Sequence, residues 1–163
     1  MSVRYEVIDI KRPEGVNVII GQAHFIKTTE DIYEALVNSV PGIKFGIAFC
    51  ESSGKRLVRV EGNDEELKNI AAENGMKLRV GHLFIILIKD AWPINVLNAL
   101  KNVPEITTIY CASANPLQVV VAETNRGRGL VTVIDGEPPV GIESEEDVKE
   151  RREFLRKIGY KLK

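Results

Sequence analysis

Six consecutive apolar side chains, Leu83 to Ile88, leave this chain the fewest choices. Alternation is missing there, so neither face of the segment is written for water. A strand inside Lys77 to Lys89 therefore reads as the central strand of a sheet covered on both sides. The run is far too short to cross a bilayer, which takes about 20 residues. A sheet covered on both faces needs helices, and strand and helix patterns interleave along the rest of the chain.

Alternation at Val3, Tyr5 and Val7 and the run Val16 to Ile20 predict two opening strands around the turn Arg12-Pro13-Glu14-Gly15, as a hairpin or a sheet edge. Thr28 or Thr29 caps a helix whose face is Ile32, Ala35, Leu36 and Val40, and Pro41-Gly42 stops it. Strands follow over Lys44 to Phe49 and Arg56 to Val60, around Glu51-Ser52-Ser53-Gly54. Asn63 is the expected cap of a second helix carrying Leu67, Ile70 and Ala71, with Gly75 as its left-handed terminator. Pro93 opens a third helix and Pro104 closes it. Strands at Thr107 to Cys111, Leu117 to Ala122 and Leu130 to Ile134 come next, the last two joined by Asn125-Arg126-Gly127-Arg128-Gly129. Ser144, with Asp147 three residues on, caps a final helix with an apolar face of Val148, Leu155 and Ile158. The order predicts one α/β domain over residues 1–163 with a mixed sheet, because the hairpin-like pairs require antiparallel neighbours.

A net charge of -1, from 22 basic and 23 acidic residues, gives no footing for nucleic acid. The start MSVRYEVIDI has no secretion signal, so the cytoplasm is the expected compartment, with no membrane partner. Cys50 and Cys111 match neither a redox pair nor a zinc spacing and read as buried inert thiols.

Ser52-Ser53-Gly54-Lys55-Arg56 has the look of a phosphate-binding loop. A P-loop would have glycine where Phe49 stands and Ser or Thr where Arg56 stands, so that reading is rejected. A short basic turn remains, with Lys55, Arg56 and Arg59 placed to receive an anion. A solvated basic edge that guards an exposed strand explains the same charges. The Arg126 to Gly129 loop is likewise ambiguous: Arg126 and Arg128 offer planar forks suited to phosphate oxygens, and a flexible surface connection looks the same. Of two histidines, His82 lies in the most buried strand, whereas His24, in Gly21-Gln22-Ala23-His24, has small and polar neighbours and leads into a helix. A neutral imidazole there is a candidate base or phosphoryl acceptor, provided a neighbour fixes its tautomer; a structural histidine is the plainer alternative. Glu51, Glu123 and Asp135 fall at strand ends, where α/β sheets assemble their sites and where turns also favour carboxylates. GxSxG, HExxH, CxxC and GxGxxG patterns are missing.

Taken together, Gly21 to Thr28, Pro41 to Gly46, Glu51 to Arg59, Ala114 to Leu117 and Val133 to Gly136 resemble the adenosine-specific kinase family of archaea and bacteria, in order and over nearly the whole chain. The resemblance implies a three-layer α-β-α sandwich, assembly as a homotrimer or homohexamer, and binding of adenosine or AMP, with a histidine linked to phosphorylation. Carried onto this chain it makes His24 the phosphorylated residue, with Lys27, Lys55 and Arg56 as phosphate contacts, while Gly81-His82-Leu83-Phe84 keeps His82 as a second family position. The consistent physical picture adds Arg59 to the basic turn and gives Asp135 or Glu51 the task of holding magnesium or drawing a ribose proton. The phosphate donor is ATP or another phosphate compound. The competing functions are a phosphotransferase, a sensor that binds an adenosine nucleotide without turnover, and an oligomer whose turns only build contacts between subunits.

Overall fold

The structure, a computed structural model, describes residues 2–162. Its elements are β1 (Arg4–Asp9), β2 (Asn17–Ala23), α1 (Thr28–Ser39), β3 (Lys44–Cys50), β4 (Val58–Gly62), α2 (Glu65–Leu78), β5 (Leu83–Lys89), α3 (Pro93–Lys101), β6 (Ile106–Ser113), β7 (Leu117–Glu123), β8 (Arg128–Asp135) and α4 (Glu145–Lys157). A five-stranded sheet has the order β4-β3-β5-β2-β6, and a three-stranded sheet has the order β1-β7-β8. The apolar run is indeed the central strand: all of β5 but Lys89 is buried.

The expected mixed sheet is replaced by two sheets in which every pairing is antiparallel. Each helical crossover still joins parallel strands, as such connections must, but it leaps over one strand. β2 and β3 are separated by β5, β4 and β5 by β3, and β5 and β6 by β2. The opening strands form no hairpin either. β1 pairs with β7 and β2 with β5 and β6, so the chain crosses between sheets at residues 10–16. The buried Asn74 of α2 fixes that crossing, accepting from the Lys11 amide at 2.9 Å and donating to its carbonyl at 2.8 Å.

One face of the large sheet packs Ile19, Phe45, Ile47, Phe84, Ile86 and Ile88 against Ile32 and Leu36 of α1 and Val96 and Leu100 of α3. The other packs Val18, Ile20, Ala48, Ile85 and Leu87 against α2 and, through Val119 and Val121, the small sheet. The layer on that side is therefore part helix and part sheet, rather than the purely helical layer of an α-β-α sandwich. α2 lies so close to β3 that a Cβ on Gly46 would sit 2.2 Å from the Leu67 carbonyl carbon.

Several end signals resolve differently from the expectation. Asp64, not Asn63, caps α2, accepting from Leu67 N at 3.0 Å. Asn63 instead clamps β3, accepting from Phe45 N and donating to Ile43 O. Gly75 lies inside α2, and its carbonyl accepts from Arg79, which takes the left-handed terminal position with φ 52°. Thr28 and Thr29 are buried in the first turn of α1 and neither is its cap. Ser144 and Asp147 form the expected box, yet none of the residues of α4 is buried. Among the described residues no helix is long and apolar enough to cross a membrane.

Candidate functional site

One end of the large sheet gathers most of the singled-out side chains. β2 and β3 end there and β4, β5 and β6 begin there, so residues 23–27, 50–53, 58–59, 82 and 105 share an edge. Backbone bonds bind the edge together: Ala23 N donates to His82 O at 2.9 Å, His82 N to Cys50 O at 2.7 Å and His24 N to Glu105 O at 3.0 Å.

Glu51 and Arg59 are its centre. Glu51 Oε2 accepts from Arg59 Nη2 at 3.0 Å, and its Oε1 accepts from the amides of Ser52 and Ser53 and the Ser53 hydroxyl. Burial pushes this carboxyl up, but those donors and the Arg59 charge outweigh it and hold it below the usual carboxylate range. Arg59 Nη1 donates to Ile26 O at 2.8 Å and so ties the basic hairpin to the loop that carries His24. Its guanidinium also lies 5.5 Å from the centroid of Phe49, a cation-π distance.

His82 is not sealed in the sheet. It precedes β5 with φ 61°, a left-handed conformation, and more than a third of its side chain is exposed. Its ring stacks on Phe49 with centroids 6.0 Å apart, and Nε2 lies 3.7 Å from Glu51 Oε1. His24 and its neighbours Phe25, Ile26 and Lys27 are exposed on the β2–α1 loop. Phe25 holds φ 103°, and its carbonyl accepts from both the amide and the hydroxyl of Thr28. A non-glycine residue in that region is strained, and such strain concentrates at functional loops. Lys27 reaches both Asp31 and the buried Glu105, whose other oxygen, Oε2, is buried without a partner.

The structure thus brings His24, Lys27, Glu51 and Arg59 to one edge, with Lys55 and Arg56 on the exposed turn beside Glu51. Asp135 is not brought there. It accepts from Ser113 Oγ at 2.5 Å and Asn115 Nδ2 at 3.1 Å. Ser113 lies at the far end of β6 from Glu105, about 25 Å away at strand spacing. Glu105 and Phe49 went unread as site residues: a carboxylate after Pro104 and a core phenylalanine carry no local signal. Neither cysteine joins the chemistry, since burial pushes both thiols up to about 11.

The family model for adenosine specific kinase matches residues 8–161. The chain belongs to the adenosine specific kinase family. It is similar to the crystal structure of the PH1918 protein from Pyrococcus horikoshii OT3, at 55% identity and TM-score 0.95, over 99% of this chain and 100% of that one. Among curated proteins none matches.

Proposed function

We propose that this adenosine specific kinase family member is a cytoplasmic phosphotransferase that phosphorylates adenosine to AMP at the sheet end bearing His24, Glu51 and Arg59. The observation that carries the reading is the Arg59 bridge, which ties a strained imidazole loop to a cationic hairpin through Ile26 O and Glu51. Phosphoryl transfer needs mainly positioning and charge neutralisation; Lys55 and Arg56, without ion-pair partners among the described residues, supply the positive charge, while Lys27 and Arg59, held by Asp31, Glu105 and Glu51, supply the positioning.

In the first step a neutral His24 nitrogen attacks the terminal phosphorus of ATP or another phosphate donor. An N–P bond forms, the P–O bond to the leaving phosphate breaks, and that oxygen keeps the electron pair. In the second step the adenosine hydroxyl oxygen attacks the same phosphorus, the P–N bond breaks, and the freed imidazole nitrogen takes the hydroxyl proton. Glu51, committed to Arg59 and Ser53, holds the hairpin rather than the proton. Asp135 lies too far from His24 to share either step. His82, aimed at Glu51, is the second imidazole to test.

Among the described residues no three His, Cys, Asp or Glu side chains converge as metal ligands. The residues present therefore do not fit a protein-built magnesium cage, and magnesium would travel with the donor's phosphates. A homotrimer or homohexamer is part of the proposal. It is supported by fully exposed Val140 and Ile142 and by α4, in which Val148 and Leu155 are only half-buried and no residue is fully buried.

The test is AMP formation from adenosine and labelled ATP. Wild type turns over, and His24→Ala loses roughly 100-fold or more in both phosphate incorporation and rate. Undiminished labelling in that variant removes His24 from the mechanism. Tight adenosine binding by wild type without AMP formation replaces the kinase reading by that of a nucleotide sensor.

A further inference from the structure

A second feature adjoins this edge and shares Glu51, Lys55 and Arg56 with it. Between the β3–β4 turn, the end of α2 and the β7–β8 hairpin lies a cleft of about 770 Å³, within the range of small-molecule sites. Its lining holds five cationic side chains, Lys55, Arg56, Arg79, Arg126 and Arg128, against two carboxylates, Glu51 and Glu123. Both carboxylates are engaged already, Glu51 by Arg59 and Glu123 by Arg4 and Arg128. Among the described residues Lys55, Arg56, Arg79 and Arg126 have no ion-pair partner, and the buried Nε of Arg128 has no acceptor.

The backbone builds this surplus on purpose-shaped supports. Arg79 stands in the left-handed position that ends α2, and Arg56 holds φ 52° in the hairpin turn. Arg126 stands at the hairpin tip, which is closed by Thr124 N donating to Gly127 O at 2.9 Å. Arg128 is also held by Glu6 at 2.8 Å and Arg79 is partly offset by the charge of Glu123; the remaining surplus, drawn from three separate elements, repels itself at a cost that a bound polyanion removes.

We infer that this cleft binds the oligophosphate chain of the phosphate donor, separately from the adenosine acceptor at the His24 edge. Lys55 and Arg56 line both this cleft and the neighbouring pocket that holds Glu51 and Arg59, so the transferred phosphoryl group would pass at their turn. The inference rests on the phosphotransferase reading for the word donor. The binding of an oligophosphate rests on the cleft alone.

Calorimetry of the full-length protein with inorganic tripolyphosphate and, separately, with adenosine tests it. Tripolyphosphate binds wild type with an affinity that falls as salt rises. Arg126→Ala and Arg79→Ala/Arg126→Ala weaken it roughly tenfold or more, the loss expected for charge-assisted hydrogen bonds, while adenosine affinity stays within about twofold by the same reasoning that distant sites act independently. Far-ultraviolet circular dichroism of each variant confirms that it folds. The inference fails if tripolyphosphate does not bind, if the arginine variants bind it as wild type does, or if saturating adenosine displaces it. Tripolyphosphate binding that disappears in these variants, in a protein that ignores adenosine, upholds the cleft and removes the kinase reading instead.

Discussion

Lys27 shows how a single ammonium can serve both fold and site. It is half exposed, yet its partner Glu105 is buried and keeps one oxygen without a donor. Removing the cation would strand a carboxylate in the protein interior, and an unpaired buried charge costs more than a lost pair returns. Lys27→Met is therefore expected to lower Tm clearly, and Lys27→Met/Glu105→Gln to regain most of the loss, because the neutral amide no longer needs the cation. Equal melting of the single and double variants in a thermal scan would show that the pair carries no such coupling. Glu51 gives a pH-dependent counterpart. Its donors hold its folded pKa below the ordinary value of 4.5, so its contribution is fully present above that value and is lost as pH falls through the depressed one. The stability gap between wild type and Glu51→Gln should stay constant from neutral pH to about 5 and close on further acidification. A gap that widens toward acid would mean that the carboxyl is not favoured in its ionised form.

At the level of elements, the sequence was most readable where the signal was local and least where pairing was long-range. The unbroken run at β5 announced a central strand because no alternation can hide two buried faces. Ser144 and Asp147 announced a helix start because the box is built within four residues. The order β4-β3-β5-β2-β6 was not readable, since a crossover that skips a strand has the same sequence pattern as one that does not. Glu51 carried the signal of a strand end and Arg59 that of the basic turn, and the fold brings the two together. Asp135 had the same signature, but nothing local says at which end of a sheet a strand finishes. The apolar run places His82 inside the most buried strand, whereas it stands just before β5 and a left-handed φ turns it outward. Close approach of elements is likewise invisible until they meet. Gly46→Ala places a methyl 2.2 to 2.4 Å from the backbone of Leu67 and Lys68, so α2 must move. A loss of about 3 kcal/mol in denaturant unfolding is expected for such overpacking. Near-wild-type stability would mean that α2 rides on β3 with more slack than these distances allow.

For the whole molecule, the two cores account for β1 through β8 and the first three helices, and they leave the C-terminal arm almost unused. α4 is well formed by its own caps, with Arg151 clamped to Glu143 by two hydrogen bonds, but its apolar face is covered only in part, Val148 and Leu155 being half-buried. Its link to the body includes one bond, Asn95 Nδ2 to the Tyr160 hydroxyl at 3.0 Å. An isolated helix of this length is marginal in water, and Val140, Ile142, Phe154 and Leu162 add apolar side chains facing solvent. A contiguous arm of that kind gains its stability by lying on another surface. In the proposed closed homo-oligomer that surface would be a neighbouring copy, each arm donated and received once per subunit. Ile142→Glu/Phe154→Glu puts two charges into that contact and leaves both cores untouched. Native mass spectrometry should then find wild type as a multiple of 18.2 kDa and the variant shifted toward the single mass. Identical assembly in both proteins would place the contact elsewhere on the molecule, and a monomeric wild type would leave the arm without the partner argued for it.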